Sequence, residues 1–397
     1  MLSEDAIDNL VQPIIDRQES INTYVLEMIA KKLGDINKLS PNDINRIKIL
    51  MEMGADVRQF NKELAKLTDI QEIKIKQLLK TVALDNYMDA KPLYDYRHKS
   101  FIPFEKNGKL QNIVNAVSKI TTGTYRNISN SKAIGFLVKD GNKLVFKSVS
   151  KTYQKVIDEA IQSVKSGINS RTAIRRALKQ LSDSGLRRAV WESGYTQRLD
   201  TAVRRNILDG VHAIQQQIED EIGKQVGADG KELSVHENSA HDHEPFQGHI
   251  FTNEEYENLQ SNKDFEDIDG KKFDGVDRVI GQWNCRHFAY SIIIGAKPPR
   301  YTKKQLQEFI NRNHKGYRLS NDKHLTMYEC TQMQRRLETK IRYTKEEQMM
   351  LKASGDKEGS NIVRKRVVDL MNEYKSFSHS CGLKPKMDRV TISGYKS

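Results

Sequence analysis

The sequence predicts an α+β protein that is predominantly α-helical, and three patterns indicate this class. Apolar residues recur at helical spacing through most of the chain. Two apolar runs on either side of Asp140-Gly141 predict a β-hairpin over 133–149. Short extended pieces between recurring glycines predict a small α+β module near 228–300. We therefore expect long helices in the N-terminal half, this small module, and a basic helical C-terminal region.

Five segments follow from these patterns along the chain. They are an N-terminal helical region (1–90), an irregular segment with a β-hairpin (91–150), long amphipathic helices (151–226), the α+β module with its histidines and cysteine (227–300), and a basic helical tail (301–397). Pro298-Pro299 marks the end of the module, because the residue before a proline disfavours helical geometry.

Local signals predict where the first helices begin and end. Ser40-Pro41-Asn42-Asp43 is typical of a helix start, and Gly54 offers a stop for that helix. Thr68 with Gln71 three residues later resembles a capping box and predicts another start. Asn107-Gly108 is a turn signal within residues 91–125, which lack clear periodicity and are expected to be irregular.

The clearest helix lies in the third segment, where apolar residues step by three or four positions and form one stripe. They are Val203, Ile207, Val211, Ile214, Ile218 and Ile222. Arg198, Arg204 and Arg205 are expected on the opposite, solvated face of this helix.

The net charge of +13 is concentrated at the C-terminal end of the chain. Residues 297–397 contain 23 Lys and Arg against 11 Asp and Glu. Such an imbalance is typical of regions that meet phosphates or acidic surfaces, although a solvated helical face would also explain it. The candidate nucleic-acid contacts are Arg335, Arg336, Arg364, Lys365 and Arg366.

Several classes of protein do not fit the sequence. No segment approaches the roughly 20 consecutive apolar residues that a transmembrane helix needs, so no membrane segment is expected. The first ten residues, MLSEDAIDNL, lack the apolar core of a signal peptide. The cysteines Cys285, Cys330 and Cys381 are odd in number and far apart. A reduced, cytoplasmic protein at the time of folding is therefore expected, without a disulfide framework.

Histidines are concentrated in the small module. Four of the chain's ten histidines fall between His236 and His249, and Cys285 and His287 follow in the same module. Zinc sites use four Cys or His ligands when structural, and usually three plus water when catalytic. His236, His243, Cys285 and His287 are therefore candidate metal ligands, with zinc as the candidate cofactor and no other cofactor implied.

Two other interpretations of these residues stay open. In a catalytic one, Cys285 and His287 act as nucleophile and base with Arg286 stabilising an anion, or a His–His–Arg set cleaves RNA by acid–base chemistry. In a structural one, the histidines satisfy buried backbone groups in glycine-rich turns. Trp283 and Phe246 would then fill the core of the module.

Two segments of the module carry a resemblance to a known family. The first is Val235-His236, followed by His243-Glu244-Pro245-Phe246-Gln247-Gly248 and Phe251, and the second is Trp283-Asn284-Cys285-Arg286-His287. Together they resemble the signature of the phage minor capsid protein 2 family, relatives of the Mu F-type phage head morphogenesis proteins. The similarity extends over most of 150–390. Ala240-His241 stands where the family often has an arginine–proline pair, and Phe246 replaces its usual tryptophan, so His241 and His249 are not expected to be ligands.

The resemblance implies a low-copy virion component of a tailed phage or prophage with a structural rather than enzymatic role. It implies association with the portal protein, assistance in head assembly or in DNA packaging and ejection, and contact with packaged double-stranded DNA. A major capsid or scaffolding protein is a further expected partner. The expected location is the phage head near the portal, and the host bacterial cytoplasm during assembly. The alternative is a nuclease or metal-dependent hydrolase carried in the virion, with its chemistry in the 227–300 module.

Overall fold

The structure is a computed structural model. It describes residues 4–37, 46–140, 142–166, 169–189, 195–236, 238–241, 243–261, 265–266, 272–273, 280, 285, 287–319 and 321–395. Most of the described residues are helical, with small antiparallel sheets between the helices, which confirms the predicted fold class.

Long helices dominate the N-terminal half, as predicted. In chain order the helices are α1 (Glu4–Asn37), α2 (Arg46–Asp89), α3 (Lys91–Tyr96), α4 (Gly108–Ile128), α5 (Val149–Lys165), α6 (Ser170–Ser184), α7 (Leu199–Val226), α8 (Asn253–Gln260), α9 (Lys303–Lys315), α10 (Met327–Ala353) and α11 (Lys357–Ser380). None of the helices in this described part of the chain is long and apolar enough to span a membrane.

The strands are short and pair in antiparallel fashion. They are β1 (Ile134–Asp140), β2 (Lys143–Ser148), β3 (Arg187–Ala189), β4 (Thr196–Arg198), β5 (Gly230–Leu233), β6 (Ile250–Thr252), β7 (Phe265–Glu266), β8 (Lys272–Phe273), β9 (Ala289–Ile292), β10 (Tyr317–Arg318) and β11 (His324–Leu325). The strand orders are β2-β1-β3-β4, β6-β5-β9, β7-β8 and β10-β11. The pairing of β1 with β2 confirms the predicted hairpin, although Gly141 lies outside the described residues.

The described chain divides into two compact units. The first consists of Met1–Leu10, Ile75–Thr122 and Arg205–Met333, and it contains the β6-β5-β9 sheet with the candidate histidines. The second consists of Val11–Lys74, Gly123–Arg204 and Gln334–Ser397, and it contains the β2-β1-β3-β4 sheet and α11.

Helix α2 is one continuous helix of 44 residues, so the breaks predicted at Gly54 and Thr68 are wrong. A glycine inside a helix costs only about 1 kcal/mol relative to alanine, which burial of the apolar residues Phe60 and Leu64 outweighs. Thr68 caps nothing, because its hydroxyl donates to the Leu64 carbonyl oxygen one turn earlier, at 2.8 Å. The start predicted at Ser40–Asp43 lies outside the described residues.

Helix α4 occupies much of the segment that was expected to be irregular, and that expectation is wrong. The Asn107-Gly108 pair begins the helix and does not form an isolated turn. The side-chain Oδ1 of Asn107 accepts from the Leu110 backbone N–H at 3.4 Å, which is how asparagine caps a helix N-terminus. Val114 and Val117 are buried one and two turns later, so packing selects the helix.

Helix α7 has the predicted apolar stripe, and all six of its residues are buried. Arg198, however, is the last residue of β4 and is only 6% exposed, so the expectation of a solvated position is wrong. Its guanidinium group contacts the carboxylates of Asp200 and Glu346 within the second unit. Periodicity along one helix predicts which of its own residues are buried, but it cannot predict a carboxylate supplied by α10.

The predicted α+β module is confirmed as a three-stranded sheet with α8 beside it. Strand β5 is central and pairs with both β6 and β9. The β5–β9 register ends at Leu233↔Ala289 and continues into the loops, where the Ser234 backbone N–H donates to the Phe288 carbonyl oxygen at 2.8 Å. The chain leaving β5 therefore lies beside the chain that enters β9.

Candidate functional site

The candidate ligands lie at the end of the sheet where β5 ends and β9 begins. His236 follows β5, and Cys285 and His287 precede β9. Because β5 and β9 are antiparallel, residues after the first and before the second emerge at the same end. The pairing of these two strands thus brings distant parts of the sequence together.

Compact turns in the described residues 238–241 and 243–248 position His243. The backbone N–H groups of His243 and Glu244 both donate to the Ala240 carbonyl oxygen, at 3.0 and 3.1 Å. Gly248 closes the turn with a φ of 71°, and a Cβ there would lie 2.4 Å from Leu306 Cδ2. Glycine is therefore favoured at this position, mainly because other residues rarely adopt this backbone conformation.

Three of the four candidate ligands converge. The Nδ1 atoms of His243 and His287 are 3.3 Å apart, and Cys285 Sγ lies 3.2 Å from the first and 3.5 Å from the second. The three residues are buried, with 2, 5 and 4% exposure for His243, Cys285 and His287. Among the described residues they form the one group of Cys, His and acidic side chains whose donor atoms all lie within 4.8 Å of one another.

Gln247 determines which nitrogen of His287 faces this cluster. Its Oε1 accepts from the His236 backbone N–H at 3.1 Å and lies 3.2 Å from His287 Nε2. An amide oxygen can only accept, so Nε2 of His287 carries the proton and donates. In the neutral ring, Nδ1 therefore presents a lone pair to Cys285 and His243.

His236 packs against the cluster without placing a donor atom in it. Its ring lies edge-on to that of His287, with centroids 4.6 Å apart, and its Nε2 is 3.4 Å from Ser234 Oγ. His241 is exposed and His249 partly exposed, and neither belongs to the group of converging donors. Trp283, Asn284 and Arg286 lie outside the described residues, so the expectations for them stay predictions.

Glu244 and α9 form a support that the sequence analysis missed. The buried carboxylate of Glu244 accepts from Asn313 Nδ2 at 2.9 Å and pairs with His314 Nε2 at 2.8 Å. Asn313 also donates to the Ser239 carbonyl oxygen, at 3.2 Å. The available signal was the spacing of Asn313 from Leu306 and Phe309, which places an asparagine on the apolar stripe of α9.

Two buried carboxylates support the other end of β9. Glu219 of α7 accepts from the Ser291 backbone N–H at 2.8 Å, and burial raises the pKa of Glu219 to about 7. Glu232 of β5 accepts from the Arg300 backbone N–H at 2.6 Å, and the Arg300 guanidinium lies 3.7 Å from the Tyr290 ring centroid. These contacts hold β9 and the chain that leaves it, and so hold the strand that follows His287.

The candidate nucleic-acid residues lie on two helices of the second unit. Arg335 and Arg336 are on α10, and Arg364, Lys365 and Arg366 are on α11, all with exposed side chains. Arg366 Nη1 lies 3.4 Å from the Glu347 carboxylate. The opposite faces of both helices are buried in one apolar cluster that includes Leu337 and Leu370.

The converging donors are suited to two kinds of chemistry. Two imidazole nitrogens and a thiol are ligands that zinc and other transition metals prefer. The same groups can also move protons, because imidazole titrates near neutral pH and a thiol beside it can ionise. Cys285 is also part of the apolar core of the module, together with Phe246 and Phe251.

Comparison with known proteins identifies the family. No curated protein and no solved structure matches the chain significantly. The family model described as phage minor capsid protein 2 matches residues 2–378, which is nearly the whole chain. The protein therefore belongs to the phage minor capsid protein 2 family, whose members have a structural role in the phage head.

Proposed function

We propose that this protein is a low-copy, portal-associated component of the phage head that contacts packaged double-stranded DNA. The role is structural, and it assists head assembly or the passage of DNA. The DNA contact is inferred from the exposed basic residues on α10 and α11, two helices that bury their apolar residues in one cluster. The phosphates of DNA would supply the negative charges that pair with these basic residues.

The geometry of the two helices supports a contact with the DNA backbone. Tyr374 donates to Glu338 at 3.0 Å and Arg366 contacts Glu347, so the two helices run antiparallel. Arg335 therefore lies about 12 residues, or roughly 18 Å, from the level of Arg366 along this pair of helices. That separation corresponds to about five base pairs of duplex rise, which is within the length of a short DNA segment.

Salt titration of the full-length protein with duplex DNA of mixed sequence tests this contact. We expect binding that weakens steeply as salt increases and that depends little on sequence, because phosphate contacts release counterions. Absence of binding at low ionic strength would exclude the DNA contact.

Quantitative mass spectrometry of purified, DNA-filled particles tests the low copy number. A few to a few dozen copies for each particle, with cross-links to the portal protein, are expected. Absence from particles, or a copy number close to that of the major capsid protein, would contradict the proposal.

A second candidate function is a nuclease or metal-dependent hydrolase carried in the virion. The convergence of His243, Cys285 and His287 is the observation that favours it. Purified protein is incubated with RNA and with DNA, with and without added divalent metal, beside His243→Ala and Cys285→Ala. Cleavage that both variants lose would support this function, and intact substrate in every reaction would exclude nuclease activity.

A further inference from the structure

We propose that His243, Cys285 and His287 bind one zinc ion through two imidazole Nδ1 atoms and a thiolate. The inference does not depend on contact with DNA or with the portal protein. It rests on the distances among the three donor atoms, on their burial, and on the hydrogen bond that orients His287.

The distances match one face of a zinc tetrahedron. With zinc about 2.0–2.1 Å from nitrogen and about 2.3 Å from sulfur, tetrahedral angles require roughly 3.3–3.4 Å between two nitrogens. They require roughly 3.5–3.6 Å between sulfur and nitrogen. The observed nitrogen–nitrogen distance is 3.3 Å, and the two sulfur–nitrogen distances are 3.2 and 3.5 Å. One ion can therefore contact all three atoms with movements of a few tenths of an ångström.

The hydrogen bonding of His287 is that of a metal ligand. Ligating histidines usually donate their second ring N–H to a carboxylate or carbonyl group, which fixes the tautomer. Gln247 Oε1 accepts a hydrogen bond from His287 Nε2–H and also accepts one from the His236 backbone N–H. The lone pair of His287 Nδ1 thus points to the place where the ion would lie.

The donor types select the ion. Calcium and magnesium prefer oxygen ligands, whereas zinc is commonly bound by cysteine and histidine. The three residues supply three of the four ligands of tetrahedral zinc, and the fourth position goes to water or another ligand. Binding releases the Cys285 thiol proton to solvent, because the thiolate is the form that coordinates the metal.

The separation of the ligands along the chain indicates what the ion would do. Cys285 and His243 are 42 residues apart, and both are buried. A structural metal that joins distant segments contributes directly to folding stability. Zinc would join the turn that carries His243 to the chain entering β9.

The experiment uses the full-length protein, purified without chelator from zinc-supplemented medium. Elemental analysis is expected to find one zinc ion for each chain. Cobalt exchanged into the site should give a sulfur-to-cobalt charge-transfer band in the near ultraviolet. Cys285→Ser should lose both the zinc and this band. Cys330→Ser and Cys381→Ser, which change the other two buried cysteines, should keep both.

Thermal unfolding gives a second measurement. A strong chelator should lower the melting temperature of the wild-type protein and leave that of Cys285→Ser unchanged. If Cys285→Ser does not fold, the cobalt spectrum of the wild-type protein decides. Absence of the charge-transfer band after equilibration with excess cobalt would overturn the proposal and would indicate three residues held by hydrogen bonds alone. The same band in Cys285→Ser would also overturn it.

Discussion

Glu244 and Asn313 are joined by a hydrogen bond of 2.9 Å, although 69 residues separate them in the sequence. Both side chains are buried. Since Glu244 directly follows His243, this contact ties the turn that carries a candidate ligand to α9. The basic tail thus begins with a helix that supports the histidine module within the same unit.

We expect Asn313→Ala to destabilise the protein by about 2–3 kcal/mol, because it removes two donated bonds and leaves a buried carboxylate short of a partner. The variant should also lose zinc to a chelator more readily than the wild type. Asn311→Ala is the matched control, since Asn311 is exposed on the same helix and accepts only from Gln307 among the hydrogen bonds described. Urea denaturation measures the free energy of unfolding of both variants. An equal loss of stability in Asn313→Ala and Asn311→Ala would contradict the role of Asn313.

The buried contact between Arg198 and Glu346 should contribute strongly to folding. Arg198→Met removes the cation that pairs with the buried carboxylate of Glu346, whereas Asp200 keeps its ion pair with Arg342. Loss of one partner of a buried pair is expected to cost about 3–5 kcal/mol. The control is Arg366→Met, because Arg366 makes a similar pair with Glu347 but its side chain is 46% exposed. Exposed pairs contribute at most about 1 kcal/mol. If chemical denaturation gave both variants the same free energy of unfolding, burial would not determine how much each ion pair contributes to stability.

Glu219 should make the stability of the protein depend on pH. Burial raises its pKa from 4.5 to about 7, although the Ser291 N–H, Lys231 and Arg300 act to lower it. A raised pKa in the folded state means that stability is greatest below pH 4.5 and falls as the pH rises to about 7, by up to about 3 kcal/mol. Glu219→Gln should therefore be more stable than the wild type at pH 8 and similar to it at pH 4.

Glu221→Gln on the same helix provides a control of opposite sign. Burial acts to raise the pKa of Glu221, but hydrogen bonds from Gln225 and Lys109 lower it below its usual value. Its carboxylate therefore contributes stability above pH 4.5 and loses it on acidification. Melting temperatures measured across this range should diverge in opposite directions for the two variants. Parallel curves would show that Glu219 does not titrate as described.

Removing the basic residues of α10 and α11 should weaken DNA binding and reduce its dependence on salt. Each lost phosphate contact lowers the slope of log affinity against log salt by about 0.9, so substitution of the five residues by Gln should lower it by up to roughly 4–5. The residues are Arg335, Arg336, Arg364, Lys365 and Arg366. Fluorescence anisotropy at several salt concentrations measures this slope.

The matched control removes the same charge from exposed lysines of α2 and α4. These are Lys62, Lys66, Lys76, Lys80 and Lys119. A direct contact predicts that the slope changes only for the first set. The same change for both sets would mean that net charge alone governs binding, and would contradict a contact through α10 and α11.

Sequence patterns predicted the elements whose own residues carry enough information. The stripe from Val203 to Ile222 predicted α7, because burial of one helix face repeats every three to four residues. The patterns failed at Gly54 and at Asn107-Gly108, where a local break signal competes with packing. Helix signals of this kind contribute about 1 kcal/mol each, which burial of a few apolar side chains exceeds.

The sequence by itself determined the predominantly helical class, the basic C-terminal region, the family, and a short set of candidate ligands that included the three converging residues. Only the tertiary structure decided that His243 converges with Cys285 and His287 whereas His236 packs beside them. Convergence across 42 residues depends on the β5–β9 register, on the turn closed at Gly248, and on Glu244 held by α9. Those are long-range interactions, and a periodicity measured along neighbouring residues contains no information about them.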